Sequence, residues 1–84
     1  MKITIYTKSA CPNCVAAKKL LQAHNMSYEE VDMDDEARRA NFNQAYPDIR
    51  GMPQIFIGDQ RVGGLLGLQA ALKQLEERNA TGRY

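Results

Sequence analysis

Cys11-Pro12-Asn13-Cys14 constrains this chain more than any other stretch, and it holds the only two cysteines in the 84 residues. A short β-branched run, Ile3-Thr4-Ile5-Tyr6, precedes it, and a helical pattern from Val15 to about Ala23 follows. A C-x-x-C set between a strand and a helix in a βαβ pattern reads as a redox motif. The position supplies the reason. A thiol at a helix N-terminus faces unpaired backbone N–H groups and the positive end of the helix dipole. Both favour thiolate over thiol and draw the cysteine well below its ordinary pKa. Lys8 adds a cation on the same loop. Cys11 is therefore the expected nucleophile, and Cys14, one turn into the helix, the less exposed partner.

Other uses of two cysteines fit less well. A bridge across two intervening residues closes a tiny loop and removes little unfolded-state entropy, so a structural staple explains little. Zinc needs four ligands, which one C-x-x-C and the distant His24 cannot complete. No metal is expected. A net charge of +1 signals neither a nucleic-acid partner nor a membrane surface. The acidic residues Glu29, Glu30, Asp32, Asp34, Asp35 and Glu36 read as a solvated strand end and helix start, whereas Lys8, Lys18 and Lys19 surround the cysteine motif. His24 reads as a helix-end residue satisfied by solvent or a carbonyl.

The length leaves room for one domain, residues 1–84, with a core that folds without staples. Lys2 to Tyr6 is a first strand. Pro12 suits a first helical turn, and Val15, Ala16, Leu20 and Ala23 recur as a helical face that His24-Asn25 closes. Ser27 to Met33 is a second strand. Asp34 or Asp35 caps a second helix to about Tyr46, with Ala37, Ala40 and Ala45 as its modest apolar face. Gln54 to Ile57 and Gln60 to Val62 are two strands joined at Gly58-Asp59. Gly63-Gly64 then breaks the strand before a last helix, where Leu65, Leu68, Leu72 and Leu75 share one face. Asn79 to Tyr84 is polar and expected to fray. The order is β-α-β-α-β-β-α: an α/β fold whose first two strands are parallel and last two antiparallel, with helices on both faces.

Three landmarks in this order resemble the glutaredoxin family, within the thioredoxin-like superfamily, over nearly the whole chain. They are Tyr6-Thr7-Lys8-Ser9-Ala10-Cys11-Pro12-Asn13-Cys14, Met52-Pro53-Gln54-Ile55-Phe56-Ile57, and Gly63-Gly64 before the final helix. The resemblance implies a cis bond before Pro53, which turns the Met52 backbone outward for pairing with an extended thiol peptide. It also implies glutathione as co-substrate. Lys8, with Arg50 or Gln54, would hold a carboxylate of the tripeptide; Met52 would supply main-chain bonds. Gly63 and Gly64 would admit the γ-glutamyl end, and backbone N–H groups from Leu65 onward its carboxylate. Asn13, where the family commonly has Tyr, and Pro53 complete the seven positions that the resemblance assigns to glutathione, with Lys8, Met52, Gly63, Gly64 and Leu65. Leu65, Leu66 and Gly67 stand where the family places a polar residue and an aspartate, so the contact to the γ-glutamyl ammonium is missing.

The implied activity is glutathione-dependent thiol–disulfide exchange by the Cys11/Cys14 dithiol on protein disulfides and glutathione mixed disulfides. A rival is a carrier reduced by thioredoxin reductase, which Leu65-Leu66 favours as an apolar docking patch and Lys8 with Gly63-Gly64 disfavours. A third reading bridges an iron–sulfur cluster through Cys11 and glutathione, against which Pro12 argues. Ribonucleotide reductase, a peroxidase or many glutathionylated proteins would suit as substrates. The opening Met1-Lys2-Ile3-Thr4-Ile5 has no apolar leader and no apolar run spans a bilayer, so a cytoplasmic monomer is expected, kept reduced between cycles.

Overall fold

The computed structural model describes residues 2–49 and 51–82. Its elements run β1 (Ile3–Thr7), α1 (Pro12–Ala23), β2 (Glu29–Asp32), α2 (Glu36–Ala45), β3 (Gln54–Ile57), β4 (Gln60–Gly63) and α3 (Leu65–Gly82). The order expected from the sequence is the order found. The four strands form one sheet in the order β2-β1-β3-β4. β1 is central because it alternates burial so fully. Ile3, Ile5 and Thr7 are buried on one face, while Thr4 and Tyr6 lie half-buried on the other. It pairs parallel with β2, Tyr6 opposite Val31, and antiparallel with β3, Ile5 opposite Ile55. The parallel pair needs a crossover, which α1 supplies. The β3–β4 pair is antiparallel and carries a register shift at Ile55/Phe56.

The two faces of the sheet are built from different chemistry. Ile3, Ile5 and Ile55 meet Ala17 and Leu21 of α1 and Leu68 and Leu72 of α3 in one aliphatic core. On the other face an aromatic chain links sheet to α2: Tyr6 with Phe42, Phe42 with Tyr46, Tyr46 with Phe56, at centroid separations of 4.7, 5.0 and 5.5 Å. Such tilted and edge contacts are favourable aromatic geometry. Helices thus cover both faces.

Two helical faces differ from the expected ones. In α1 the buried residues are Cys14, Ala17 and Leu21, whereas Val15 and Ala23 are exposed. The doublets Ala16-Ala17 and Leu20-Leu21 support two faces one residue apart, and the sheet selects the one that also buries Cys14. In α2 the alanines 37, 40 and 45 are all exposed, and Phe42 alone is buried. The Phe42 ring reaches the sheet, its centroid 4.7 Å from that of Tyr6.

The helix ends have definite chemistry. Asp35 caps α2, its Oδ1 accepting from Arg38 N at 3.0 Å. Asn25, at φ +56, closes α1 in a left-handed conformation. Met26 N then reaches the Leu21 carbonyl and Asn25 N that of Gln22, both at 3.0 Å, the paired bonds of a Schellman cap. His24 Nδ1 lies 3.0 Å from Glu76 Oε1 of α3, so a carboxylate satisfies it rather than the expected solvent or carbonyl. β1 and β2 sit at Ile3–Thr7 and Glu29–Asp32, shifted or shortened relative to expectation, and α3 runs to Gly82. Arg83 and Tyr84 lie outside the described residues.

Phe42 is expected to hold α2 to the sheet. Phe42→Ala should cost about 3–5 kcal/mol in urea unfolding, while Ala37→Ser, on the exposed face, should shift stability by no more than about 0.5 kcal/mol. Equal costs would show that the alanine face is the buried one.

Candidate functional site

β1 delivers the chain to the cysteines under tight control. Thr7, buried at the strand's end, donates from Oγ1 to Glu30 Oε2 at 2.7 Å, and its carbonyl accepts from Met33 N at 2.7 Å. Ser9 N donates to Asp34 Oδ1 at 3.1 Å. Asp34, one of two expected helix caps, thus tethers this loop instead. Ala10 then turns the backbone at φ +53, a conformation rarely adopted by a residue with a side chain. That turn sets Cys11 at the N-cap of α1, in extended geometry, with Pro12 in the first helical turn.

The cap itself is a sulfur. Cys14 N–H points at Cys11 Sγ at 3.2 Å, and the Cys11 carbonyl accepts from Cys14 N and Val15 N at 3.1 and 3.2 Å. A serine or aspartate oxygen ordinarily occupies that place. An N–H aimed at a sulfur in this position favours negative charge on it, as a helix N-terminus does in general. Here Cys11 and Cys14 are joined in a disulfide. Cys14 is 2% exposed and Cys11 8%, so Cys11 is the less deeply buried of the two. Cys11 Sγ lies 3.6 Å from the carbonyl oxygen of Met52, and the Met52–Pro53 bond is cis.

Two concave surfaces meet at Met52. One, about 500 Å³, is lined by Asn13, Met52, Pro53, Gly63, Gly64 and Leu65, six of the seven positions the resemblance assigns to glutathione, together with Gln54, Asp48 and Arg61. The seventh, Lys8, lines the other, of about 470 Å³, with Met33, Arg39 and Asn43. Ile49, Gly51 and Met52 border both. Gln54 Nε2 donates to the Gly51 carbonyl at 3.0 Å, bracing the loop between them. Arg50 lies outside the described residues.

Several positions were not legible beforehand. Arg39, Asp48 and Arg61 read as ordinary surface charges; only the folding of α2 and the loop after it beside β4 brings them to the grooves. Arg61 Nη2 lies 3.0 Å from Asp48 Oδ2, with its guanidinium 5.7 Å from the Tyr46 ring centroid. Gly67 permits close approach: a Cβ there would stand 1.7 Å from the Val62 carbonyl oxygen. Gly63 needs its glycine for another reason, a φ of +95. Leu66 is 80% exposed and Val15 47%, the large apolar side chains most open to solvent among the described residues. Lys18, one of the three lysines around the motif, donates to Glu30 Oε2 at 3.1 Å. Among the described residues no three His, Cys, Asp or Glu side chains gather as a metal site, and no helix is long and apolar enough to cross a membrane.

The glutaredoxin family profile matches residues 3–62. A probable glutaredoxin of Synechocystis is 46% identical over 65 residues, 75% of this chain and 73% of that protein. Against other curated relatives the match spans from about three fifths to about four fifths of their length. Among solved structures, glutaredoxin 1 of Francisella tularensis superposes with a TM-score of 0.76 at 34% identity, covering 90% of this chain and 96% of that one. A buckwheat glutaredoxin–glutathione complex superposes with 0.72 at 25% identity, covering 86% and 68%.

The Thr7 hydroxyl and then the Lys18 ammonium hold the Glu30 carboxyl below its ordinary value of 4.5. A lowered native pKa contributes stability that is present above the unfolded value and lost as pH falls through the native one. Glu30→Gln should therefore reduce the drop in urea midpoint between about pH 6 and about pH 3. An unchanged drop would mean that the pair stabilises nothing.

Proposed function

Since the chain belongs to the glutaredoxin family and is a thiol–disulfide oxidoreductase with a CxxC dithiol pair, we propose that glutathione is its co-substrate and Cys11 its attacking thiolate. The observation that carries this is the groove beside Cys11, where Asn13, Met52, Pro53, Gly63, Gly64 and Leu65 converge from three separate stretches of sequence. On a protein–glutathione mixed disulfide, the Cys11 thiolate attacks the glutathione sulfur. The protein thiolate leaves and takes a proton from solvent, and Cys11 is left bonded to glutathione. A second glutathione thiolate attacks that glutathione sulfur, releasing oxidised glutathione and restoring Cys11. On a protein disulfide, Cys14 resolves the intermediate by attacking Cys11, which yields the Cys11–Cys14 disulfide. Cys14 N–H stabilises charge on Cys11 in both routes.

Met52 supplies the backbone for an extended peptide, as a strand edge would. Lys8 and Arg39 receive the carboxylate at one end of the tripeptide. The chain then acts as one domain and as a monomer, in a cytoplasm that keeps dithiols reduced. Protein disulfides, that of ribonucleotide reductase among them, and glutathionylated proteins are the substrates.

Cys11→Ser should abolish exchange, because the other thiol, Cys14, is buried at 2% exposed. Cys14→Ser should keep turnover of small glutathione mixed disulfides and lose reduction of protein disulfides. Loss of both in Cys14→Ser would count against the glutathione route.

A second reading, reduction by thioredoxin reductase, draws on one observation: Leu66 is 80% exposed in the first turn of α3. Turnover coupled to glutathione with glutathione reductase, against thioredoxin reductase alone, separates the two. Leu66→Asp sharpens the comparison, since Gly67 has no room for a side chain and Leu66 does. A carboxylate there should improve the efficiency with glutathione by up to about fivefold, the scale of an exposed ion pair. Unchanged glutathione kinetics with impaired reduction by thioredoxin reductase would favour the second reading.

A further inference from the structure

The two grooves that meet at Met52 differ in charge. The one that holds Lys8 and Arg39 has no carboxylate among its described lining residues. The other carries both signs: Asp48 on its wall, bonded to Arg61 at 3.0 Å. No acidic residue lies in the first turn of α3, which makes Asp48 the one carboxylate on this groove among the described residues.

Glutathione has matching asymmetry. Its glycyl end bears a carboxylate alone, and its γ-glutamyl end is a free amino acid, with an ammonium and a carboxylate on one carbon. With the thiol at Cys11 and the backbone on Met52, each end faces one groove. The carboxylate end suits the purely cationic groove, and the zwitterionic end suits the groove with paired charges.

We propose that the Asp48–Arg61 pair recognises the zwitterionic γ-glutamyl end, Asp48 taking the ammonium and Arg61 facing the carboxylate; this rests on the glutathione reading above. The geometry leaves capacity for both contacts. A carboxylate has about four lone-pair sites, and Arg61 Nη2 uses one; the guanidinium has five N–H donors. Arg61 is held from two sides, by Asp48 and by the face of Tyr46, so the pair meets the ligand with little further ordering. The hydrogen bond from Arg61 also keeps the Asp48 carboxyl below its ordinary range, and hence ionised at neutral pH. Charge recognition has thereby moved from the start of α3 to the loop after α2.

The test uses two probes, the mixed disulfides of thionitrobenzoate with glutathione and with glutaryl-cysteinylglycine, which keeps the terminal carboxylate and lacks only the ammonium. Attack by reduced protein releases the coloured thiolate, so absorbance gives each second-order rate constant and their ratio. The wild type should prefer glutathione. Asp48→Asn should lower that preference about two- to fivefold, and Asp48→Glu, which retains the charge, should keep most of it. A ratio unchanged in Asp48→Asn, as a purely structural role would leave it, overturns the proposal. So does a loss in Asp48→Glu as large as in Asp48→Asn, or a wild type that does not distinguish the probes. The glutathione reading fails separately, through absent turnover in the assay coupled to glutathione reductase.

Discussion

The bond from Cys14 N–H to the sulfur of Cys11 is where fold and chemistry coincide. A helix must find acceptors for its first N–H groups, and here the acceptor is the reactive atom. The helix cannot start elsewhere without losing its cap, and the sulfur cannot move without leaving the helix N-terminus. Everything upstream serves this placement. Thr7 is tied to Glu30 and Met33, Ser9 to Asp34, and Ala10 takes a left-handed turn to bring Cys11 into extended geometry. The acidic segment thus has a definite use at two of its members. Glu30 and Asp34 anchor the loop, and Lys18 is spent on neutralising Glu30.

The sheet divides labour between its faces. The aliphatic face, with α1 and α3, holds the buried core and fixes the position of Cys14. The aromatic face is thinner. Phe42 and Tyr46 bind α2 to Tyr6 and Phe56, and the loop that follows α2 forms walls of both grooves. Tyr46 takes part in packing and in the site together, since its ring also lies beside the Arg61 guanidinium. Groove walls built on α2 and its loop therefore depend on a few rings.

The start of α3 departs from what the family resemblance led one to expect, and the departure has a steric basis. Gly67 lets the helix close against the carbonyl of Val62, where any side chain would collide with backbone. Leu65 turns into the groove while Leu66 stands in solvent. An N-terminus without an acidic first turn keeps its N–H groups available to an anion. It offers nothing to a cation, which leaves Asp48 as the nearest negative charge on the described groove.

Local order in the sequence settled much of this protein. C-x-x-C after a β-branched run, proline in the first helical turn, glycine at the turn and before the last helix, and leucines at helical spacing determined the element order and the cysteine pair. Each signal acts within a few residues, through backbone geometry or one amphipathic face. The resemblance then brought Asn13, Met52, Pro53, Gly63, Gly64 and Leu65 together, and they do share a groove. Tertiary structure alone decided which of two adjacent faces of α1 is buried, because doublets of alanine and leucine serve either. It alone set Phe42 over the alanines of α2, because reach across the gap to Tyr6 is a three-dimensional distance. It alone joined Asp48 to Arg61, residues 13 positions apart on different elements, because charge pairing across a groove leaves no periodicity for a sequence to display.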